Sequence, residues 1–378
     1  MTTVSACNED ELYGAGLAAL GASPGMLRKF LDGYGAREAW EAIARGRHRA
    51  DPGRRWRTKA VPQLLDAVGE SCAQAGVSVM ILGQPGYPPA LADDGQAPAV
   101  LFGLGEVATL EGKPRVAVVG TRSATPYGLG VATELGRDLT SSGVVVVSGG
   151  SLGIDAAAHG GALGVDGGTA TVAVLGTALD APASRSQSAL RVALGQRGTV
   201  LSEIPPGAHS ARWWFAVRNR VIAALAHVVV VVECHHGGGS LNTVSAALAR
   251  GVTVTAVPGS IRSPASAGTN RLLVEGAAPV RDVDDVLTAV ELPVVGHCDI
   301  TPPRRPPARP RPPRPGATTR LGARASRVAR ALDQDPATLD VVVRRSGLGL
   351  GEVSLALEEL SDAGLAVGER GWWSRPRS

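Results

Sequence analysis

Arginines, small hydroxyl residues and glycines occur together in four short segments in the central part of the chain. The segments read GTR, SGG, RNR and GGS. The residues of interest in them are Arg122, Ser148, Gly149, Arg218, Asn219, Arg220, Gly239 and Ser240. A guanidinium group matches two phosphate oxygens and stays charged at biological pH. Hydroxyls and the backbone amides beside glycine add further donors, so these residue types predict a phosphate-binding surface.

The elements that must position these segments are valine-rich runs, each followed by a turn signal and a helical segment. Runs that are apolar throughout indicate strands buried on both faces. The predicted strands are 115–120, 144–150, 169–176, 199–205, 227–233 and 252–259. Strands alternating with helices predict an α/β fold with a doubly wound, Rossmann-like parallel sheet. Ligands of such sheets bind beyond the carboxyl ends of the strands, where we expect the four segments to converge.

Each arginine also has a structural interpretation. Arg122 could pair with an acidic residue of its own domain instead of a phosphate. Arg218 and Arg220 lie two positions apart on a predicted helix, and side chains at that spacing do not face one ligand together. Internal pairing is therefore the competing interpretation for all three, and the residues alone leave it open.

Catalysis is not favoured by the remaining polar residues. Hydrolysis needs a positioned carboxylate, often with a metal ion. Asp155 is predicted to cap a helix N-terminus, Glu203 to pair with a nearby arginine, and His159 to pack inside the protein. The spacing of Cys234, His235 and His236 matches no usual zinc pattern. No catalytic residue, metal or cofactor is predicted.

Composition gives only broad limits. The chain has 378 residues, a formal net charge of +4 and four scattered cysteines. A mild positive charge is compatible with a polyanionic partner, and unpaired cysteine spacing is typical of a reducing compartment. The N-terminus lacks the features of a secretory signal, and no apolar run has the length of a membrane span. We expect a cytoplasmic protein that does not insert into membranes.

Changes in composition along the chain predict four parts. Residues 1–65 are expected to form a helical domain and residues 77–290 the Rossmann-like domain. The segment 300–318 is rich in proline and arginine and is predicted to be an extended linker. Residues 319–378 show the order helix, helix, helix and hairpin, which is typical of a winged helix.

The chain resembles the DNA-processing protein A family, also called DprA or Smf. The segments that carry the resemblance lie within residues 85–290 and read GTR, SGGSLGIDAAAH, SEIPPG, FAVRNRVIAALA, GSLNT, VPGS and GTNRLL. The flanking modules look like those of the family too, a SAM-like helical domain in front and a winged helix behind.

The resemblance implies a non-enzymatic protein that binds single-stranded DNA during natural transformation. Such a protein protects the incoming DNA and helps to load a RecA-type recombinase. It also implies a homodimer and a DNA pocket at the strand ends. The positions that match the pocket residues of the family are Arg122, Ser148, Gly149, Arg218, Asn219, Arg220, Gly239 and Ser240.

Three positions depart from the family pattern. Leu152 stands where family members commonly carry a basic residue, so one phosphate contact is expected to be lost. The segment DAPASRSQSAL replaces a Tyr-Pro and an Asn, and its Arg185 is a candidate to compensate. Ala216 replaces the proline that usually follows the phenylalanine of the RNR segment.

Two other functions remain as alternatives. GGGSLNT resembles the loop of nucleotide-processing Rossmann enzymes, but the catalytic glutamate of a phosphoribohydrolase is replaced by Ala246. A regulator acting through the winged helix is the second alternative. Its recognition helix would carry Glu352, Glu358, Glu359 and Asp362, which phosphates repel, so packing or protein contact is favoured there.

Aromatic residues and an N-terminal turn offer further contacts. Trp213, Trp214 and Phe215 are candidates to stack on bases, of which we expect one or two to do so. The turn LGASPG resembles that of a helix-hairpin-helix, which can offer backbone amides to phosphates, and a plain packing domain is the competing interpretation.

Overall fold

A computed structural model of the protein describes residues 8–105, 107–110, 112–168, 171–209, 211–291, 322–332, 337–369 and 372–375. The chain divides into two compact units, residues 1–291 and residues 292–378. The predicted linker, 300–318, lies outside the described residues.

Helices open the first unit and share a core with the first two strands of its sheet. They are α1 (Glu9–Ala19), α2 (Pro24–Leu31), α3 (Ala36–Ala44) and α4 (Pro62–Ala75). The LGASPG turn joins α1 to α2, where the Ser23 hydroxyl accepts a hydrogen bond from the amide of Met26 and caps the helix. Leu17, Phe30 and Phe102 lie fully buried in the shared core.

Among the described residues, nine strands form the sheet of the first unit. They are β1 (Ser78–Ile81), β2 (Val100–Gly105), β3 (Arg115–Val119), β4 (Val145–Ser148), β5 (Val172–Leu175), β6 (Thr199–Ser202), β7 (Val228–Val231), β8 (Thr253–Ala256) and β9 (Ala278–Pro279). Their order is β1-β2-β6-β5-β4-β3-β7-β8-β9. The six strands predicted from the valine-rich runs are confirmed as β3 to β8, all parallel. Strands β1 and β2 add an antiparallel edge.

Helices cover both faces of the parallel strands. They are α5 (Pro89–Ala92), α6 (Pro126–Ser141), α7 (Ile154–Leu163), α8 (Arg185–Arg197), α9 (Trp214–Leu225), α10 (Ser240–Leu248), α11 (Ala267–Val274) and α12 (Val283–Glu291). Val116 and Val118 of β3 pack with α6, α7 and α12. Ala117 and Val119 face the opposite core, which contains α9, α10 and α11. This alternation explains why each central strand is apolar throughout.

The second unit has the element order of a winged helix. Its elements are α13 (Ala323–Ala331), β10 (Ala337–Thr338), α14 (Leu339–Ser346), α15 (Leu350–Asp362), β11 (Val367–Glu369) and β12 (Trp372–Ser374). The hairpin of β11 and β12 joins β10 in a small sheet of order β10-β12-β11. Glu352 of the acidic helix α15 forms an ion pair with Arg324 at 3.2 Å.

A bilayer could not be crossed by any helix among the described residues, since none combines the necessary length with apolar character.

Glycines let α6 and α7 approach each other closely. A Cβ atom at Gly136 of α6 would overlap the carbonyl group of Ala158, and one at Gly161 of α7 would overlap the carbonyl oxygen of Thr133. Gly130, in the same helix α6, has no atom within 4 Å of the corresponding position. Backbone contact between the helices therefore fixes where α7, and the loop before it, sit on the sheet.

We expect Gly136→Ala to lower the free energy of unfolding of the first unit by about 1–3 kcal/mol, because the added methyl group forces the two helices apart. The matched variant Gly130→Ala should be neutral or stabilise by up to about 1 kcal/mol, since alanine favours an open helical position. Urea unfolding of both variants measures the difference. Equal effects would show that the close approach is not a constraint.

Candidate functional site

Strands β3 and β7 lie side by side at the centre of the sheet, and the chain leaves them in opposite directions. From β3 the chain proceeds to β4, β5 and β6 on one side, and from β7 to β8 and β9 on the other. Such a switch in direction opens a crevice at the carboxyl ends of the strands. Gly120 to Thr125 follow β3 and therefore border this crevice.

Glu233, two residues after the end of β7, holds the loop after β3 at both ends. Its carbonyl oxygen accepts a hydrogen bond from the amide of Thr121 at 2.8 Å. Its carboxylate accepts from the amide of Thr125 at 2.8 Å and from the Thr125 hydroxyl at 2.6 Å. The side chain is buried, with Glu233 only 1% exposed. Thr125 caps α6, so the carboxylate lies at the positive end of that helix.

Arg122 lies between these two anchors and is exposed. Its guanidinium carbon is 4.8 Å from the centroid of the Phe215 ring, within the range of a cation–π contact. Among the described residues, no carboxylate lies within ion-pair distance of Arg122. The sequence left open that Arg122 pairs with an acidic residue of its own domain. The described residues do not show such a pair.

Gly153 supports the Arg122 loop from the side of β4. Its φ angle is +81°, and a Cβ atom there would overlap the backbone carbonyls of Thr121 and Arg122. The amide of Ile154, at the start of α7, donates to the carbonyl of Thr121 at 3.2 Å. The conformation and the close approach together require glycine at this position.

Arg218 bridges two strands where they part. The ladder between β4 and β5 ends at the pair Ser148 and Ala173. Beyond it, one guanidinium nitrogen of Arg218, Nη1, donates to the carbonyl of Gly149 at 2.6 Å and also to the carbonyl of Val174. A Cβ atom at Gly149 would collide with this guanidinium group. Arg218 thus replaces the missing backbone donors of the separating strands.

The charge of Arg218 is balanced beneath the surface by Asp155. Burial lowers the pKa of Arg218 to about 10, the nearby charge of Arg122 acts in the same direction, and Asp155 opposes both. Burial raises the pKa of the Asp155 carboxyl, and Arg218 opposes this shift. Asp155 accepts a hydrogen bond from the amide of Ser151 at 3.3 Å. The residue that caps α7 is Gly153, so the prediction that Asp155 caps the helix is wrong.

Arg220 is also paired internally. Its guanidinium donates to the Glu203 carboxylate at 2.5 Å, and the two side chains are 7% and 8% exposed. The prediction that Glu203 pairs with an arginine is confirmed. Burial raises the pKa of Glu203, and the charge of Arg220 opposes the shift. Between the two arginines, the Asn219 amide donates to the carbonyl of Gly239 at 3.3 Å, which links α9 to the loop before α10.

The remaining predicted contact residues differ in exposure. Ser148 is fully buried, and its hydroxyl donates to the carbonyl of Val118 at 2.6 Å. Ser240 is 9% exposed at the start of α10, whereas Gly239 before it is exposed. Of the eight predicted residues, Arg122 and Gly239 therefore lie at the surface.

The side chains of Arg218, Asn219, Arg220 and Ser148 are buried and bond inside the protein, and their contact with phosphate stays a prediction. Ser148 is buried because it belongs to the central strand β4, and the other three are buried because α9 lies against the sheet. Its polar side chains reach strand-end carbonyls and an acid from below. Arg218 holds the end of β4 against β5, Asn219 holds Gly239, and Arg220 holds the segment after β6 through Glu203.

Sequence reasoning missed Glu233. The signal was an acidic residue directly at the end of the valine run HVVVVVE, opposite a Thr-Pro helix start. A charge at the carboxyl end of a buried strand needs a specific partner.

Two other positions of interest are placed by the structure: Leu152 is 48% exposed in the loop after β4, and Arg185 begins α8.

His159 is packed in the interior, as predicted, and is fully buried. The hydroxyl of Thr171 donates to the carbonyl of Val146 at 2.7 Å, so the Nδ1–H of His159 donates to that hydroxyl at 2.9 Å. Its Nε2 atom has no hydrogen-bond partner among the residues that the structure describes. Burial is the main cause that lowers the pKa of His159 to about 3. The ring is therefore neutral and serves packing.

The chain is similar to proteins of one family along most of its length. A sequence profile described as DNA recombination-mediator protein A matches residues 78–291, and the DprA winged helix domain matches residues 307–368. A putative DNA processing protein DprA from Mycobacterium tuberculosis is 42% identical over 282 residues, which cover 74% of this chain and 69% of that relative. DNA processing protein DprA from Bacillus subtilis is 34% identical and is covered over 74% of its length, with 60% of this chain.

Two solved structures share the fold. DNA processing protein A from Streptococcus pneumoniae superposes with a TM-score of 0.63 at 33% identity, covering 72% of this chain and 95% of that one. The protein from Helicobacter pylori, whose structure was described for its single-stranded DNA binding mode, gives 0.51 at 27% identity, covering 57% and 95%.

We expect Glu233→Gln to destabilise the first unit by about 1–3 kcal/mol, because the amide removes the negative charge at the start of α6 and places an NH2 group where one oxygen now accepts a hydrogen bond from Thr125. The matched substitution Glu275→Gln removes an exposed partner of Arg271 and should change the free energy of unfolding by less than about 1 kcal/mol. Urea unfolding measures both. A loss no larger for Glu233→Gln than for Glu275→Gln would contradict the anchoring role.

The pKa of His159 predicts a pH dependence of stability. In the unfolded chain the ring titrates near 6.5, so below that pH protonation favours unfolding, whereas above it the contribution is constant. As the pH is lowered from 6.5 to about 3, this group should decrease the free energy of unfolding by about 1.4 kcal/mol per pH unit. His159→Asn retains a donor for Thr171 and should lack this component. Parallel curves of stability against pH for both proteins would refute the assignment.

Proposed function

Since the chain belongs to the DNA recombination-mediator protein A (DprA) family, we propose that it binds single-stranded DNA at the carboxyl edge of its parallel sheet. In this proposal the DNA is held by its phosphates, is not cleaved, and is protected and passed to a RecA-type recombinase. The binding mode named for the Helicobacter pylori relative supports the choice of single-stranded DNA.

The observation that carries the proposal is the isolated charge of Arg122. It is exposed at the point where the strand order switches and has no acidic partner among the described residues. The acids nearest the strand ends are withdrawn from the surface: Asp155 is 7% exposed and Glu233 is 1% exposed. Glu203 is neutralised by Arg220. A negatively charged backbone would meet the exposed Arg122 guanidinium there, while these carboxylates lie beneath the surface.

Direct contact is assigned to Arg122 and to the backbone of Gly239, which are the exposed members of the predicted set. Ser148, Gly149, Arg218, Asn219, Arg220 and Ser240 are assigned to positioning. The division follows from burial, because Arg218 and Arg220 are only 5% and 6% exposed and their guanidinium groups already donate to strand carbonyls or to a carboxylate inside the protein.

The non-enzymatic part of the proposal rests on the strand-end carboxylates. General acid or base catalysis needs a carboxylate that can reach the substrate. Among the described strand-end residues, Asp155, Glu203 and Glu233 each accept hydrogen bonds from the protein itself. The RecA-type recombinase and the homodimer rest on the family resemblance, and the cytoplasmic location rests on the scattered cysteines and the N-terminal composition.

We expect Arg122→Ala to weaken binding of single-stranded DNA by roughly 10- to 150-fold, the loss of a hydrogen bond to a charged group. The slope of log affinity against log salt concentration should also decrease by about 0.7, corresponding to one phosphate of a single strand. A salt series of binding measurements tests both quantities.

Arg137→Ala is the matched control, because Arg137 is an exposed arginine of α6 that pairs with Asp138 away from the strand ends. It should leave both affinity and slope close to those of the unmodified protein. An unchanged slope for Arg122→Ala, or equal changes in both variants, would place the phosphate contact elsewhere.

A further inference from the structure

Trp213 and Trp214, at the start of α9, stack on each other. Their ring centroids are 4.3 Å apart and their planes differ by 23°. Both side chains are half-buried, yet within the described part of the chain neither belongs to or packs against an apolar core. By contrast, Trp40 and Trp56 are 5% and 3% exposed inside the first core. Core packing therefore does not account for this pair.

The pair is adjacent in the chain to a residue of the proposed phosphate site. The next residue, Phe215, carries the guanidinium group of Arg122 on its ring. Phe215 is itself held against the end of β5, since a Cβ atom at Gly176 would come within 2.9 Å of its Cα atom. Arg212, on the other side of the pair, is exposed. The two indole rings thus lie in the chain between an exposed arginine, Arg212, and the phenylalanine whose ring contacts Arg122.

This arrangement suits a single strand better than a duplex. A phosphate contact such as that of Arg122 is available on both, because both carry the same charged backbone. The faces of nucleobases are accessible only when the bases are unpaired, and stacking on aromatic rings is tolerant of base identity. The Phe215 ring is already covered by Arg122, which leaves the indole pair as the aromatic surface beside the cation.

We propose that Trp213 and Trp214 form a stacking platform for unpaired nucleobases of the DNA strand whose phosphates contact Arg122. The platform rests on the proposed function and adds its specificity: Arg122 supplies attraction to any polyanion, and the indole pair selects the single-stranded form.

The test compares three probes on the full-length protein: oligothymidylate, an abasic oligonucleotide of equal length, and a duplex. We expect the double variant Trp213→Ala/Trp214→Ala to lose about tenfold or more in affinity for oligothymidylate, the range for one stacked base. Affinity for the abasic strand and the duplex should not change, and neither should the salt slope. Trp213→Phe/Trp214→Phe should restore most of the loss. Ile261→Ala, at a residue 93% exposed, is the control for removal of a surface apolar group.

A second measurement does not depend on the alanine variant being folded. In a Trp372→Phe/Trp373→Phe background, Trp40 and Trp56 are buried, so quenching of tryptophan fluorescence reports the pair. Oligothymidylate should quench it and the abasic strand should not.

Several results would overturn the platform. They are equal affinity of the unmodified protein for oligothymidylate and the abasic strand, equal losses for both probes in the alanine variant, or absence of quenching on binding. If the alanine variant differed in self-association while its relative affinities for the three probes matched those of the unmodified protein, the indoles would be assigned to a protein contact instead. Failure of the proposed function looks different: the unmodified protein would bind none of the probes, or Arg122→Ala would leave the salt slope unchanged.

Discussion

The carboxyl edge of the sheet depends on one buried carboxylate, that of Glu233. A charge removed from water is costly unless hydrogen bonds and a favourable local field replace the lost hydration. Here Thr125 supplies two donors and the N-terminus of α6 supplies the field. Because the backbone of the same residue also holds Thr121, the segment that carries Arg122 is closed into a short bridge between two fixed points.

Buried arginines extend this principle across the rest of the edge. Arg218 joins the separating ends of β4 and β5, and Arg220 holds the segment after β6 through Glu203. Within the described part of the chain, three polar atoms of this network have no hydrogen-bond partner: Arg218 Nε, Arg220 Nη1 and Glu203 Oε1. Buried ion pairs add little net stability compared with apolar residues. Their value at this edge is geometric, because they give three loops one common arrangement.

Much of the fold could be predicted from the sequence because burial on both faces leaves a direct signature, the continuous valine runs of β3 to β8. The exposed position of Arg122 could be predicted as well, since it follows such a run by two residues. The inward orientation of Arg218 and Arg220 could not, because it depends on which strand carbonyls lie within reach of α9. Glu233 was missed for a similar reason. Its partner Thr125 is 108 residues away in the chain, and no local pattern connects them.

The loop after β4 has a consequence for how this protein can change over generations. Leu152 stands between two glycines with positive φ angles, Gly150 at 64° and Gly153 at 81°, and almost half of its surface is in contact with water. The fold depends on the backbone conformation at this position and not on the identity of the side chain. Mutation can therefore add or remove a charge beside the crevice without disturbing the fold. The electrostatic attraction between this edge and a charged ligand can thus change while the architecture stays the same.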